Sequence, residues 1–224
     1  MDRILRGEAG WQEAVARALA EATRPIVPDP RFVPRAADAA TDDLPRFDRS
    51  TFPTARAAAT LLLLYPGAAG ELTMLLTVRH ADLRAHAGEI SLPGGARDAS
   101  DASLEATALR EAWEEVGVEP STVSIIGTLD DTWIPVSNFE LRPFVGTVAA
   151  RPTFAPHNDE VSAIVELPVR SLLADDAVSE ELIEGRGWQL RAAVYRYEGH
   201  RIWGATARTL AMFAAVLREA ELEA

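Results

Sequence analysis

Apolar and polar positions along the chain fall into blocks that mark out its elements. Over residues 8–23, Trp11, Val15, Leu19 and Ala20 share one stripe at helical spacing, which predicts an amphipathic helix. The stretch "RPIVPDPRFVPRAADAATDDLPR" that follows is rich in proline, alanine and aspartate and reads as an extended linker or wrapped arm. Residues 59–65, "ATLLLLY", form a continuous apolar run of the kind that makes a buried strand. "PGAAGE" is a turn, and residues 72–78, "LTMLLTV", return as the second arm of a hairpin. A polar loop is expected over residues 79–95, and a helix over residues 103–116 that stops at Gly117, a residue suited to a helix C-terminus.

Four further strands are expected, in "TVSIIGTL", "ELRPFVGTVAA", "VSAIVEL" and "WQLRAAVYRYEG", with a short helix in "VRSLLAD" and a long closing helix over residues 205–221. Strands interrupted by a few helices predict an α/β chain with a mixed β-sheet sandwiched between α-helices. The expected division is residues 1–50 as an N-terminal helix and Pro/Ala-rich extension, then residues 51–224 as the globular domain.

Composition narrows the chemistry. The formal net charge of −12 argues against nucleic acid and anionic membrane as partners. There is no cysteine, so thiolate metal sites, disulfides and cysteine nucleophiles are excluded, which fits a cytoplasmic location. The first residues carry scattered charge and "AAATLLLLYP" is far shorter than a membrane span, so neither a secretory signal nor a transmembrane segment is expected. The extension could pair two copies as a homodimer or pack on its own core.

Against that acidity, "REAWEEVGV" places Glu111, Glu114 and Glu115 on one helix. At 100° per residue the three fall within an arc of about one hundred degrees. Leu109, Ala112, Trp113 and Val116 fall on the other side, where a core is expected. A solvated acidic face is one account. The other is a hard-cation site, because magnesium is held by carboxylates together with substrate phosphates. The preceding loop, "SLPGGARD", supports the second account: Gly94 and Gly95 allow the backbone close to a ligand, and an exposed carbonyl there is a further candidate ligand.

Together these pieces resemble the Nudix box: Gly, five residues, Glu, seven residues, then Arg-Glu-apolar-x-Glu-Glu-x-Gly-apolar. Residues Arg110 to Val118 match its second half completely. The first half departs. Six positions after Gly95 stands Asp101 in place of Glu, the following interval is one residue longer, and aspartate at that point suits a helix cap. Upstream, "LLTVRHADLRAHAGEISLPGG" is similar to the motif of the coenzyme A pyrophosphatase branch. Leu75, Leu76, Thr77, Arg79, Arg84, Gly88, Pro93, Gly94 and Gly95 are in register, while His80 and Leu92 replace Ser and Phe. The later "RIWGATAR" is also similar to that branch.

The resemblance implies a Nudix fold over residues 51–224. It implies water attack on a nucleoside diphosphate derivative, assisted by Mg2+ or Mn2+ on Glu111, Glu115 and Glu114, with Arg110 orienting a glutamate. Glu160, just before the "VSAIVEL" strand, stands where members of the family often place a further ligand or base. Arg79 and Arg84 are suited to substrate phosphates, with surface salt bridges as the competing account, and Gly94 and Gly95 to the substrate loop. The implied substrate is coenzyme A or its thioesters, cleaved to adenosine 3',5'-bisphosphate and (acyl-)4'-phosphopantetheine. ADP-ribose, a dinucleotide or a nucleoside triphosphate are the alternatives, and a non-catalytic nucleotide-binding regulator is a third. The four histidines show no metal-ligand spacing, and Trp203 reads as a core aromatic.

Overall fold

The structure is a computed structural model and describes residues 2–26, 28–38, 49, 54–80, 88–156, 159–185 and 187–222. Its centre is strand β2 (Arg56–Pro66), which turns at Gly67 into β3 (Leu72–Arg79), the hairpin that the apolar runs predict. β2 also pairs in parallel with β8 (Phe139–Thr147), whereas its other partners run antiparallel, so the sheet is mixed. Around this centre lie β4 (Ile90–Ser91) and β9 (Val161–Pro168) on β3, β5 (Gly94–Ala96) on β2, and β6 (Ser124–Thr128) and β7 (Thr132–Ile134) on β8. The polar loop thus contains two short strands, because its backbone finds partners on β2 and β3.

Both faces of β2 are buried, which is why it reads as a continuous apolar run. Leu62 and Leu64 enter one core with helices α2 (Trp11–Glu21) and α5 (Gly204–Leu222). Leu61, Leu63 and Tyr65 enter a second core, beneath α3 (Leu104–Val116). The sheet is therefore sandwiched between helices, as expected. On α2 the buried stripe is Trp11, Val15, Ala18 and Leu19, and Ala20 is exposed, because its position is turned away from the sheet.

A second, antiparallel sheet comprises β1 (Arg35–Ala36), β10 (Val178–Gly185), β11 (Trp188–Tyr197) and β12 (His200–Ile202). The acidic "VSEELIEG" hides β10 from a hydrophobicity reading. It is an edge strand, and charge is tolerated there. In the arm, Phe32 is buried against Tyr195, ring centroids 5.0 Å apart, and Arg35–Ala36 pairs with β11, so this stretch wraps onto the second sheet. The remaining helices are short: α1 (Asp2–Leu5) and α4 (Arg170–Leu173). Among the described residues no helix is long and apolar enough to cross a membrane.

Candidate metal and diphosphate site

The site begins where β5 meets β2. The Pro93 carbonyl accepts the Leu61 N–H at 2.9 Å and the Thr60 hydroxyl at 2.6 Å, which fixes the glycine turn against the sheet. A Cβ on Gly94 would meet the Ala59 carbonyl and lie 2.6 Å from the Thr60 Cα. One on Gly95 would lie 2.5 Å from the Glu111 carboxylate. Bare backbone at these two positions is what lets the loop lie flat on the sheet and Glu111 lie flat on the loop.

Helix α3 starts at Ser103, whose hydroxyl accepts the Ala106 N–H at 3.1 Å, a cap of about 1 kcal/mol. Asp101 is therefore not the cap. It is buried and accepts the Asp98 N–H at 2.9 Å, the Thr107 hydroxyl at 2.8 Å, and Arg110 Nε and Nη2 at 2.9 and 3.0 Å. The Arg110 guanidinium, foremost, holds the Asp101 carboxyl well below the usual carboxylate range. The rest of that guanidinium reaches Glu114 at 2.8 Å, Glu111 at 3.0 Å and the Ala96 carbonyl at 3.3 Å. Arg110 thus orients two glutamates while Asp101 anchors it. The anchoring role of Asp101, which the sequence suits to a cap, and the part played by Thr107 are not apparent from the sequence pattern. Their signal was a carboxylate nine positions before Arg110, and a threonine on the adjacent helical turn.

The three glutamates do not share one environment. The core side of α3 is set by Ala108, Ala112 and Val116. Glu115 lies at the edge of the acidic arc nearest that side and is only 4% exposed; Glu114 lies at the far edge and is exposed. Trp113 does not face the core: it is 49% exposed, being about 100° from the core direction. Leu109 is partly buried against the core.

Burial pushes the Glu115 carboxyl up to about 8. The charge of Arg79 and a backbone hydrogen bond from Gly94 oppose that rise, whereas the charges of Glu111 and Glu160 add to it. Glu115 Oε2 is buried with no hydrogen-bond partner. Burial also raises Glu111, outweighing the neighbouring Arg110. An orphaned carboxylate oxygen, flanked by two further carboxylates, is a donor set suited to a hard cation. As the side chains stand, no three acidic or histidine groups among the described residues close into a cage, and Arg110 draws Glu111 and Glu114 to itself.

Arg79 ends β3. Its Nε is buried without a hydrogen-bond partner and its charge acts on Glu115. Glu160 precedes β9, and its carbonyl accepts the His80 N–H at 2.8 Å. Arg84, His86 and His157 lie outside the described residues. "RIWGATAR" spans β12 and the start of α5. Trp203 is half-buried against Trp188, and Thr206 donates to the Ile90 carbonyl at 3.2 Å.

Comparison with known proteins bears on the family. The family described as NUDIX domain matches residues 54–184. The uncharacterized Nudix hydrolase NudL of Pectobacterium atrosepticum is 42% identical over 135 residues, 60% of this chain and 70% of that protein. The NudL of Citrobacter koseri is 41% identical over 134 residues, 60% and 69% respectively. Among solved structures, a MutT/nudix family protein from Enterococcus faecalis superposes with a TM-score of 0.50 at 14% identity, covering 76% of this chain and 64% of that one, a likeness of fold.

Proposed function

The chain belongs to the Nudix hydrolase family, and from that premise we propose that it hydrolyses the diphosphate of coenzyme A or its thioesters, releasing adenosine 3',5'-bisphosphate and (acyl-)4'-phosphopantetheine. The observation that carries this reading is the packing of the upstream motif onto the glutamate helix. Gly95 lies beneath Glu111, Gly94 donates to Glu115, and the Arg79 charge faces Glu115. That the segment similar to the coenzyme A pyrophosphatase motif lies against the residues suited to a cation supports the reading.

Glu111 and Glu115, with Glu114 next, would hold a magnesium or manganese ion. When bound, the cation supplies charge neutralisation and Lewis acidity at the diphosphate. Arg110, anchored by Asp101, orients Glu111 and Glu114. Arg79 donates to a phosphate oxygen. Glu160 accepts the proton of the attacking water, a role that needs its carboxylate within hydrogen-bond reach of that water.

The test is incubation with magnesium or manganese and a panel of coenzyme A, an acyl-coenzyme A, ADP-ribose, a dinucleotide and a nucleoside triphosphate, with products resolved by chromatography. Cleavage of coenzyme A to the two named products is expected. Coenzyme A left intact while ADP-ribose is cleaved would sink the substrate assignment and leave the hydrolase; cleavage of nothing would favour a nucleotide-binding regulator.

A further inference from the structure

The arm that wraps onto the second sheet leaves a hollow beside it. A cavity of about 290 Å³ lies where residues 29–32, the residues after α4, Tyr195 of β11 and helix α5 meet. That volume is at the lower end of the range for small-molecule pockets. The hollow has a local cause on α5. Ala211, Ala215 and Arg218 stand at i, i+4 and i+7 on one face of that helix, and two methyl side chains leave room that larger residues would fill.

Tyr195 lies deepest. Its ring is stacked on Phe32 and the residue is 3% exposed, yet its hydroxyl makes no hydrogen bond among the described residues. By contrast, the hydroxyl of the buried Tyr65 donates to Glu166 at 3.0 Å, and Arg151 forks onto the same carboxylate with both contacts at 2.8 Å. A buried polar group without a partner is costly, and native proteins keep few of them. Burial pushes the Tyr195 hydroxyl up to about 12, with the Arg218 charge opposing that rise and the Asp29 charge adding to it. Near neutral pH it therefore keeps its proton and is a donor.

Two cations line the cavity, and one of them is already committed. Arg31 grips Asp29 through Nε and Nη2 at 3.0 and 2.7 Å, so that pair is closed on itself. Arg218 forms no ion pair among the described residues, and its hydrogen bond to the Leu172 carbonyl is long, at 3.4 Å. Its guanidinium and the Tyr195 hydroxyl are two unanswered donors on one hollow. Asp29 and Asp175 offset Arg31 and Arg218, so the lining as a whole is neutral and does not favour a polyphosphate. Donors for one oxyanion above an aromatic and alanine floor suit a molecule with one carboxylate and a short apolar body.

We propose that this cavity binds a small monocarboxylate, whose oxygens accept from Arg218 and Tyr195 and whose apolar end rests on Ala211 and Ala215. A ligand so placed touches the arm, β11 and α5 together, and so ties the arm to the globular body. The site is separate from the glutamate helix, because none of its lining residues belongs to β3, β5 or α3.

The test titrates the metal-free full-length chain with butyrate, inorganic phosphate and n-butylamine, read by backbone amide NMR shifts and by amide exchange. Butyrate should saturate at roughly millimolar concentration, shift amides near residues 31, 195 and 218, and slow exchange across residues 29–36 roughly threefold or more. n-Butylamine should do neither. Tyr195→Phe keeps the ring and removes only the oxygen; it should weaken butyrate about fivefold, and Arg218→Gln about tenfold. Tyr195→Phe should also melt no lower than the parent chain, since it loses no internal hydrogen bond. Absence of saturable butyrate binding, equal affinity in both variants, binding of n-butylamine, or phosphate binding more tightly than butyrate would each overturn the proposal. So would a melting temperature for Tyr195→Phe lower by more than about 3 °C, which would reveal a structural partner for the hydroxyl.

Discussion

The two ends of helix α3 each bury a carboxylate and treat it in opposite ways. At the N-terminal end Asp101 accepts four side-chain and backbone hydrogen bonds and is held far toward its charged form. At the C-terminal end Glu115 keeps one oxygen with no partner, and burial drives it toward its neutral form. A fully satisfied buried acid is an anchor. An under-satisfied one beside further carboxylates is a stability cost that a folded protein retains where a ligand relieves it. The contrast separates architecture from chemistry within thirteen residues of helix and its lead-in loop.

The sharpest way to break that contrast is Glu115→Gln. Its turnover should fall about 10²–10³-fold, while its melting temperature should hold or rise, as the cost of holding a buried carboxyl in its neutral form is removed. A variant that melts lower yet keeps full activity would make Glu115 an anchor too.

The next effect is on pH. The folded carboxyl of Glu115 lies near 8, above the ordinary glutamate value of about 4.3, so the folded state binds the proton more tightly. That contribution is complete below about 4.3 and is lost as pH rises through about 8, on the order of 5 kcal/mol. The metal-free chain should therefore melt progressively lower from pH 5 to pH 8, and Glu115→Gln should flatten the slope. Magnesium should restore stability at pH 8 in the parent chain far more than in the variant. Equal slopes in scanning calorimetry would refute the assignment. Asp101 has the opposite sign: its contribution is present above the ordinary aspartate value and disappears only in strong acid, as pH falls through its depressed value.

Gly95→Ala puts a methyl where Glu111 lies. Loss of about 10²-fold in kcat is expected, with a small change in melting temperature. Asp101→Asn weakens the anchor of Arg110 and should cost about 2 kcal/mol in urea unfolding, with a smaller loss of rate that follows the freed Arg110. If rate fell as far as in Glu115→Gln with no change in stability, the division between the two ends would be wrong. The smallest effect is Trp113→Ala, within about 0.5 kcal/mol, because its ring is half in solvent.

Much of this was legible before any coordinates. The apolar run and its return predicted β2 and β3, and the spacing of Glu111, Glu114 and Glu115 located the acidic arc within about one residue of the observed helix. Four features were not legible. Trp113 falls opposite the acidic arc on the wheel, where a core is expected, yet it lies about 100° from the stripe of Ala108, Ala112 and Val116 that is in fact buried, and it is exposed. β10 was missed because glutamates on an edge strand break the apolar pattern without breaking the ladder. The Tyr65, Glu166 and Arg151 network spans three separate segments, and no local spacing connects them. Asp101 was noticed but given a cap's role, because capping is local whereas its true partner, Arg110, is more than two helical turns on.

The parallel pairing of β2 with β8 has a consequence for how the chain reaches this state. Arg56 lines up with Phe139, and the β3 return, the glycine turn and α3 all lie between them along the chain. The central pair of the sheet therefore forms only by closing one long loop, whose entropy must be met before the contacts return anything. The local hairpin and the capped helix can form early, and the strand pair that encloses them comes late. Folding should accordingly be slow for a chain of this length, with the glutamate helix built inside a loop that its own sheet closes last.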